Sequence, residues 1–116
     1  MAIAIAYLNA KKFEKWFGGL GGRAQARVIK ALRKLEAGQF AAPATFGDVK
    51  PLGDGLFEIR VHTDAGYRIY FFWDDNVAVI VAAGSKSHQQ SQINAARRLK
   101  SAYEQKRNAR TGDGPR

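Results

Sequence analysis

The clearest signals of secondary structure in this chain lie in residues 47–86, which read GDVKPLGDGLFEIRVHTDAGYRIYFFWDDNVAVIVAAGSK. Short groups of Gly, Asp and Asn interrupt runs rich in β-branched and aromatic side chains, a pattern typical of strands joined by tight turns. We predict a short strand over 48–52 and longer strands over 56–62, 67–73 and 77–83. Because the connections are short, these strands are expected to pair in an antiparallel manner.

Helices are predicted on both sides of this region, after a first strand over residues 2–8. Asn9 suits the N-cap of a helix over 10–17, and a run of glycines separates that helix from a second one over 23–37. A last helix, expected over 89–106, carries apolar residues at helical spacing.

This order of elements predicts an α+β fold, in which an N-terminal helical hairpin and a C-terminal helix pack on a small antiparallel sheet as a two-layer domain. One domain is expected over residues 1–106, followed by a flexible basic tail over 107–116, and residues 39–47 are expected to form a loop. If the helices cover one face of the sheet, the other face stays open to water, as antiparallel sheets allow.

The composition favours a polyanionic partner, since the 116 residues carry a formal net charge of +9 at pH 7. The chain has no cysteine, which excludes disulfides and thiolate metal sites and fits a cytoplasmic location. Its two histidines lie far apart and its carboxylates are scattered, so we expect neither a metal nor another cofactor. No apolar run is long enough to cross a bilayer, and no membrane partner is expected.

The alternation of side chains along the two long central strands places their basic residues on one face. The apolar residues share the opposite face, and the basic face receives Arg60, His62, Arg68 and Tyr70. The strands must pair even positions with even ones, with either Arg60 or His62 opposite Arg68, because a slip of one residue would put Arg60 into the core. Two arginines side by side repel each other, which indicates a site for an anion.

A second interpretation stays open for the same residues. Arg60 and Arg68 are then simply solvated, with Glu58 as an ion-pair partner. Tyr70 and Phe72 would be unusual on a surface that only faces water, and either the C-terminal helix or a bound partner protein could cover them.

Four motifs, taken in their order and spacing, resemble those of the RelE/ParE toxin superfamily of type II toxin–antitoxin modules. They are FEKWFGGL at 13–20, GDVKPLGDGLFEIR at 47–60, GYRIYF at 66–71 and AGSK at 83–86. The chain is most similar to the HigB-like group of addiction module killer proteins, which is related to phage-derived Gp49-like proteins. The resemblance covers residues 8–103 and implies the RelE-like version of the α+β fold.

The resemblance also implies a function. Such toxins enter the ribosomal A site and cut mRNA, and a smaller antitoxin, often a helix-turn-helix protein, binds and silences them. The functional basic residues of the family fall, in this chain, on Lys50, Arg60, His62, Arg68 and Lys86. Some members place a tyrosine for proton transfer a few residues later, but here Gln92 stands near that place and His88 is the nearest titratable group.

Metal-free cleavage of RNA needs a base for the 2′-OH, cations for the charge that builds on the phosphate, and an acid for the departing 5′ oxygen. Arg60, Arg68 and Lys86 suit the second role, because guanidinium and ammonium groups bind phosphate oxygens. His62 or His88 suits the first or the third role, since histidine titrates near neutral pH.

Further contacts to RNA are expected from an aromatic residue and from the helices. Tyr70 is expected to stack on a base or to donate a proton. The basic residues of the second and last helices, including Arg97, Arg98 and Lys100, are expected to hold the RNA backbone by charge, unless they are merely solvated. Two other functions stay open: inhibition of DNA gyrase by a ParE-like toxin of the same fold, and a non-catalytic domain that binds RNA or a partner protein.

Overall fold

A five-stranded sheet with helices on both sides forms the centre of the computed structural model, which describes residues 3–38 and 48–111. Its elements, in chain order, are β1 (Ala4–Tyr7), α1 (Ala10–Gly18), α2 (Gly22–Glu36), β2 (Val49–Gly53), β3 (Leu56–Val61), β4 (Tyr67–Asp74), β5 (Val77–Gly84), a 3₁₀ turn (Lys86–His88) and α3 (Gln89–Thr111). The predicted α+β class, with two N-terminal helices and one C-terminal helix on a small sheet, is confirmed. The predicted loop over 39–47 and the last five residues of the predicted tail lie outside the described residues.

Local signals in the sequence set the ends of the two N-terminal helices. The Asn9 side chain accepts a hydrogen bond from the backbone N–H of Lys12 (3.1 Å) and so caps α1. Gly38 follows α2 with a positive φ of 78° and donates its N–H to the Leu35 carbonyl oxygen, a helix end that glycine forms without strain. Both helices lie within one residue of their predicted bounds.

The strand order across the sheet is β1-β5-β4-β3-β2, and the β1–β5 pair is parallel while the other pairs are antiparallel. The predicted antiparallel sheet is confirmed for β2 to β5, and β1, for which no pairing was predicted, joins it in parallel and makes the sheet mixed. Short turns between β2, β3, β4 and β5 impose antiparallel pairing. By contrast, β1 reaches β5 through most of the chain and is free to run in the same direction.

One face of the sheet packs against α1 and α2. Val28 and Leu35 of α2 are fully buried in a cluster with Ile59, Ile69 and Phe71 of the sheet. The aromatic residues of α1 pack on the edge of the same cluster. This face is the apolar one that the alternation of residues in β3 and β4 predicts.

The opposite face, which was expected to be open, is covered along much of its length by α3. Ala96 of α3 packs against Leu56, Tyr70 and Phe72, all of which are buried. The expectation of an open face is therefore wrong here. Of the two alternatives given for Tyr70 and Phe72, a cover by the C-terminal helix or by a bound partner protein, the first is present. Burial of a large aromatic side chain stabilises a fold by about 1.5–3 kcal/mol, which favours this position for α3.

The C-terminal helix is longer than predicted, since α3 continues to Thr111. Arg107, which was assigned to a flexible tail, forms ion pairs with Asp74 (3.0 Å) and Asp75 (3.3 Å) at the turn between β4 and β5. These contacts attach the end of the helix to the sheet. No helix within residues 3–38 and 48–111 combines the length and hydrophobicity needed to cross a bilayer.

Candidate functional site

Two neighbouring rows of cross-strand residues carry the predicted basic side chains. In one row, Lys50, Glu58 and Tyr70 stand opposite one another on β2, β3 and β4. In the next row, Arg60 stands opposite Arg68, which is one of the two predicted registers. The two rows lie on the same face because Glu58 and Arg60 are two residues apart on one strand. The prediction that the two arginines lie side by side is confirmed.

Glu58 lies at the centre of this group and is fully buried. Its Oε1 accepts a hydrogen bond from Nε2 of Gln89, in the first turn of α3 (2.6 Å). Its carboxylate also lies 3.6 Å from Nε of Arg60 and 3.7 Å from Nε of Arg68. A buried carboxylate without such partners is strongly unfavourable, so the arginines make its burial possible. The pairing with Glu58 proposed as a second interpretation is therefore present.

These ion pairs occupy only one edge of each guanidinium group. Arg68 donates another hydrogen bond from Nη1 to the Gly66 carbonyl oxygen (2.9 Å). Nη2 of Arg68 and both Nη atoms of Arg60 have no hydrogen-bond partner in the part of the chain that the structure describes, and the Arg60 side chain is 40% exposed. The arginines therefore keep donors for an anion although Glu58 pairs with both.

Gly66 brings Lys86 next to the arginines. Gly66 has a positive φ of 63°, and a methyl group on its Cα would lie 2.9 Å from Cδ of Lys86. The aliphatic part of Lys86 thus packs directly on the residue whose carbonyl oxygen holds Arg68. The Lys86 N–H also donates to the Ala65 carbonyl oxygen (3.4 Å). Four cations and one carboxylate therefore share this region, which we call the cationic site; its residues are Lys50, Glu58, Arg60, Arg68 and Lys86.

The first turns of α3 close one side of the cationic site. Gln92 packs on Gly84, whose sheet partner is Arg68, and a methyl group on Gly84 would overlap the Gln92 amide. Nε2 of Gln92 donates to the Ser85 carbonyl oxygen (3.2 Å), while its Oε1 is buried without a hydrogen-bond partner among residues 3–38 and 48–111. An amide does not titrate, so Gln92 cannot replace the proton-transferring tyrosine that the resemblance implies near this place.

Tyr70 lies on the predicted face but is closed to a nucleobase. Its ring is fully buried, and its hydroxyl has no hydrogen-bond partner within the described residues. Burial and, to a smaller extent, the charge of Glu58 raise the pKa of Tyr70 from 10.0 to about 12, and the charge of Arg68 opposes part of this shift. The expected stacking of Tyr70 on RNA is therefore contradicted, and a hydroxyl with so high a pKa is a poor proton donor near pH 7.

The two predicted histidines lie on the surface at different places. Nε2 of His62 forms a hydrogen bond with Oδ1 of Asp48, and the His62 side chain is 69% exposed. His62 and Arg60 line one cleft of about 120 Å³. His88 lies in the 3₁₀ turn, where its Nδ1 is 3.1 Å from the Ser87 hydroxyl. His62 is therefore oriented by a carboxylate beside one of the arginines.

Two of the three predicted RNA-binding cations of α3 are used inside the molecule. Arg97 donates from Nη2 to the Leu52 carbonyl oxygen (2.6 Å) and so attaches α3 to the end of β2. Lys100 pairs with Glu104 (2.9 Å) and lies over an aromatic ring of β4. Arg98 is exposed and forms no ion pair within the described ranges, which leaves it free for a ligand.

A row of cations on α2 is without ion-pair partners among residues 3–38 and 48–111. These residues recur every three or four positions and so share one face of the helix; they are Arg23, Arg27, Lys30 and Lys34. We call them the α2 basic row. The row borders two clefts, of about 120 and 780 Å³, and both clefts are lined by Arg27 and His62.

The sequence did not single out Gly66 or Gln89 as parts of the site. Gly66 carried a local signal, because a glycine at the end of a polar turn is the residue that adopts a positive φ. The contact of Gln89 with Glu58 carried none, since it depends on where α3 crosses the sheet. Glu58 was identified only as a partner, because nothing local showed that it would be buried.

Known proteins match most of this chain, including the whole cationic site. Residues 15–104 match the model of a family described as Phage derived protein Gp49-like (DUF891). An uncharacterized protein of Haemophilus influenzae (strain ATCC 51907 / DSM 11121 / KW20 / Rd) is 35% identical over 89 residues, which make up 75% of this chain and 84% of that protein.

Proposed function

This chain belongs to the phage-derived Gp49-like family, which is toxin-like and part of the RelE-like superfamily, and from this premise we propose that it is the toxin of a type II toxin–antitoxin module. Its activity in this proposal is that of a HigB-like mRNA endonuclease, which cuts mRNA on ribosomes in the cytoplasm without a metal and so inhibits translation. The observation that carries the proposal is the juxtaposition of Arg60 and Arg68 beside Lys86, in which each arginine keeps at least one Nη atom that forms no hydrogen bond to a described residue.

Arg60, Arg68 and Lys86 bind the scissile phosphate in this proposal. Attack of the 2′-OH builds negative charge on the phosphate oxygens, and fixed donors stabilise that charge more than they stabilise the substrate. Removal of one such donor from an enzyme typically lowers kcat by about 10²- to 10³-fold. The cations of the site are therefore assigned most of the rate enhancement.

Proton transfer is assigned to the histidines. His62, held through Nε2 by Asp48, takes the proton of the 2′-OH, and His88 protonates the departing 5′ oxygen. The pairing of His62 with a carboxylate supports the first role, because a carboxylate that accepts the Nε2–H leaves Nδ1 of the neutral ring as the nitrogen that can take a proton. Both side chains are exposed, so RNA can reach them.

The remaining free cations hold the RNA backbone on either side of the cut. Lys50 and Arg98 serve this role together with the α2 basic row, and their contacts provide affinity that weakens with salt. A cognate antitoxin, expected to be a helix-turn-helix protein, binds the toxin and silences it.

Mapping of mRNA ends on ribosomes after induction of the protein tests the proposal. The wild type is expected to create new 5′ ends within open reading frames, and Arg68→Ala and Lys86→Ala are expected to abolish them. Lys11→Ala is the matched control, since it removes an exposed cation from α1, and the new ends should persist. Cutting that survives both Arg68→Ala and Lys86→Ala would refute the proposal.

One observation favours a second candidate, a ParE-like inhibitor of DNA gyrase. The cationic site has Gln92 where a proton-transferring tyrosine was expected, and its own Tyr70 stays neutral to about pH 12. Induction that triggers a DNA damage response without new mRNA ends would support this candidate. Induction without any effect on growth would point to a non-catalytic domain that binds RNA or a partner protein.

A further inference from the structure

Glu58 is the one fully buried charged side chain in residues 3–38 and 48–111, and the chemistry proposed above does not use it. Apolar residues of similar volume often stabilise a fold more than buried ion pairs do. Tyr70 and Leu56 on the same face show that this region accommodates large apolar groups. A contribution to the stability of the fold is therefore, by itself, a poor explanation for a buried carboxylate at position 58.

The two oxygens of Glu58 face different arginines. Oε2 lies 3.6 Å from Nε of Arg60, and Oε1 lies 3.7 Å from Nε of Arg68. The hydrogen bond from Gln89 to Oε1 fixes the carboxylate from the side of α3. Both guanidinium groups thus present their Nε edge to Glu58, and both Nη atoms of Arg60 and Nη2 of Arg68 are left for other partners, since no described residue accepts a hydrogen bond from them.

The charge of Glu58 also permits the two arginines to stand directly opposite each other. Like charges in opposed cross-strand positions are destabilising, and these side chains would move apart if no anion lay between them. The carboxylate supplies that anion from the protein itself. The arrangement therefore persists before any substrate arrives.

We propose that Glu58 is a positioning residue, which holds Arg60 and Arg68 by their Nε edges so that the Nη donors of both converge on one phosphate group of the RNA. Glu58 acts through the arginines and does not touch the substrate. This inference rests on the proposed endonuclease function.

The unpaired polar atoms of the cluster agree with this role. Glu58 Oε2, Arg60 Nε and Arg68 Nε are all buried without a hydrogen-bond partner among the described residues, because their contacts are longer than hydrogen bonds. Buried groups in this state call for an explanation. A phosphate that draws the two guanidinium groups together shortens both contacts, and hydrogen bonds of catalytic sites commonly tighten in this way when substrate binds.

The test compares Glu58→Gln with the wild type in two measurements: binding of a single-stranded RNA oligonucleotide by the protein alone, and the rate of mRNA cutting on ribosomes. We expect Glu58→Gln to bind the oligonucleotide as tightly as the wild type or more tightly, because a negative charge is lost. We expect its kcat to be about 100-fold lower at an unchanged KM, because the arginines are misplaced. Glu104→Gln is the matched control, because it removes the same charge from an exposed position on α3. Both measurements should then match the wild type.

Other outcomes overturn the inference. If the negative charge of Glu58 only weakens phosphate binding, Glu58→Gln cuts at the wild-type rate or faster. If Glu58→Gln does not fold, Gln89→Ala decides, since it keeps the charge and frees the carboxylate: a lower kcat at unchanged KM supports the inference, and an unchanged kcat contradicts it. A wild type that cuts no mRNA refutes the proposed function itself and the inference with it, whereas a wild type that cuts as well as its Glu58→Gln variant refutes the inference alone.

Discussion

Tyr70 places a hydroxyl in the interior without a hydrogen-bond partner in the described residues, and an unpaired buried group of this kind costs about 1–3 kcal/mol. Tyr70→Phe removes the oxygen and keeps the ring that packs below α3. We expect the free energy of unfolding in urea at pH 8 to stay unchanged or to rise. Tyr103→Phe is the matched control, because the Tyr103 hydroxyl donates to Asp74 (2.5 Å) and its loss should cost about 1 kcal/mol.

The same hydroxyl makes stability depend on pH at the alkaline end. The folded protein holds the Tyr70 proton up to a pKa of about 12, whereas the ordinary value is 10.0, so the unfolded chain releases this proton first. The stabilisation is complete below about pH 10 and is lost as the pH rises through 12. We expect the free energy of unfolding of the wild type to fall more steeply than that of Tyr70→Phe between pH 10 and 12. Parallel curves would contradict the assignment.

Gly66 combines a backbone conformation and a contact that other residues tolerate poorly. With φ at 63°, an alanine here is strained by about 1 kcal/mol, and its methyl group would push against Lys86. We expect Gly66→Ala to lower the free energy of unfolding by about that amount and to reduce mRNA cutting, since it displaces Lys86. Gly18→Ala is the control: no atom of the described residues lies within 4 Å of its added methyl group, so stability should not fall. Equal effects of the two variants would argue against this account.

At the scale of secondary structure elements, α3 is attached to the sheet by side chains that the sequence predicts to bind RNA. Arg97 reaches the Leu52 carbonyl oxygen and pairs with Asp54, whereas its neighbour Arg98 points to solvent. We expect Arg97→Ala to lower the free energy of unfolding by about 1–2 kcal/mol and Arg98→Ala to change it by less than about 0.5 kcal/mol. Urea unfolding of both variants measures this difference, and a stable Arg97→Ala protein would contradict the structural role.

The elements themselves were largely predictable, because most of their signals are local. Asn9, Gly38 and the turn residues between the strands mark the ends of helices and strands within a few positions along the chain. The direction of β1 and the position of α3 were not predictable in this way. Both depend on contacts between parts of the chain that are far apart in sequence. The residue pattern of β1 does not determine the direction in which it pairs, and that of α3 does not determine which face of the sheet it covers.

At the scale of the whole molecule, the distribution of charge matters more than its sum. The α2 basic row has no ion-pair partners within residues 3–38 and 48–111 and borders two clefts that are both lined by His62, one of which is also lined by Arg60. We expect loss of three of its charges to weaken binding of a single-stranded RNA oligonucleotide and to lower the slope of log K against log salt by about 2, since each phosphate contact contributes about 0.7. The variant combines Arg23→Gln, Arg27→Gln and Lys30→Gln.

The matched control removes the same number of charges from α1 through Lys11→Gln, Lys12→Gln and Lys15→Gln. We expect a much smaller change in affinity and in salt slope, because these lysines border neither of the two clefts. If both triple variants lose affinity to the same extent, net charge alone governs binding and the α2 basic row has no special role.

The candidate site was predictable to the extent that it lies on neighbouring strands. Alternation along β3 and β4 placed Arg60 and Arg68 side by side without any knowledge of the tertiary structure. The same alternation placed Tyr70 on that face, but it could not show that a helix would cover it. The burial of Glu58 and its contact with Gln89 likewise follow from the path of α3.

Because β5 lies between β1 and β4, the sheet cannot close until residue 84 has emerged from the ribosome during synthesis. β1 is synthesised before β5, the strand with which it pairs, and α3 is synthesised after β5. A growing chain therefore displays Arg60 and Arg68 without Lys86 beside them and without Gln89 to steady Glu58. Under the proposed function, we therefore expect a nascent chain to cut mRNA only after the residues of α3 have left the ribosome and packed on the sheet.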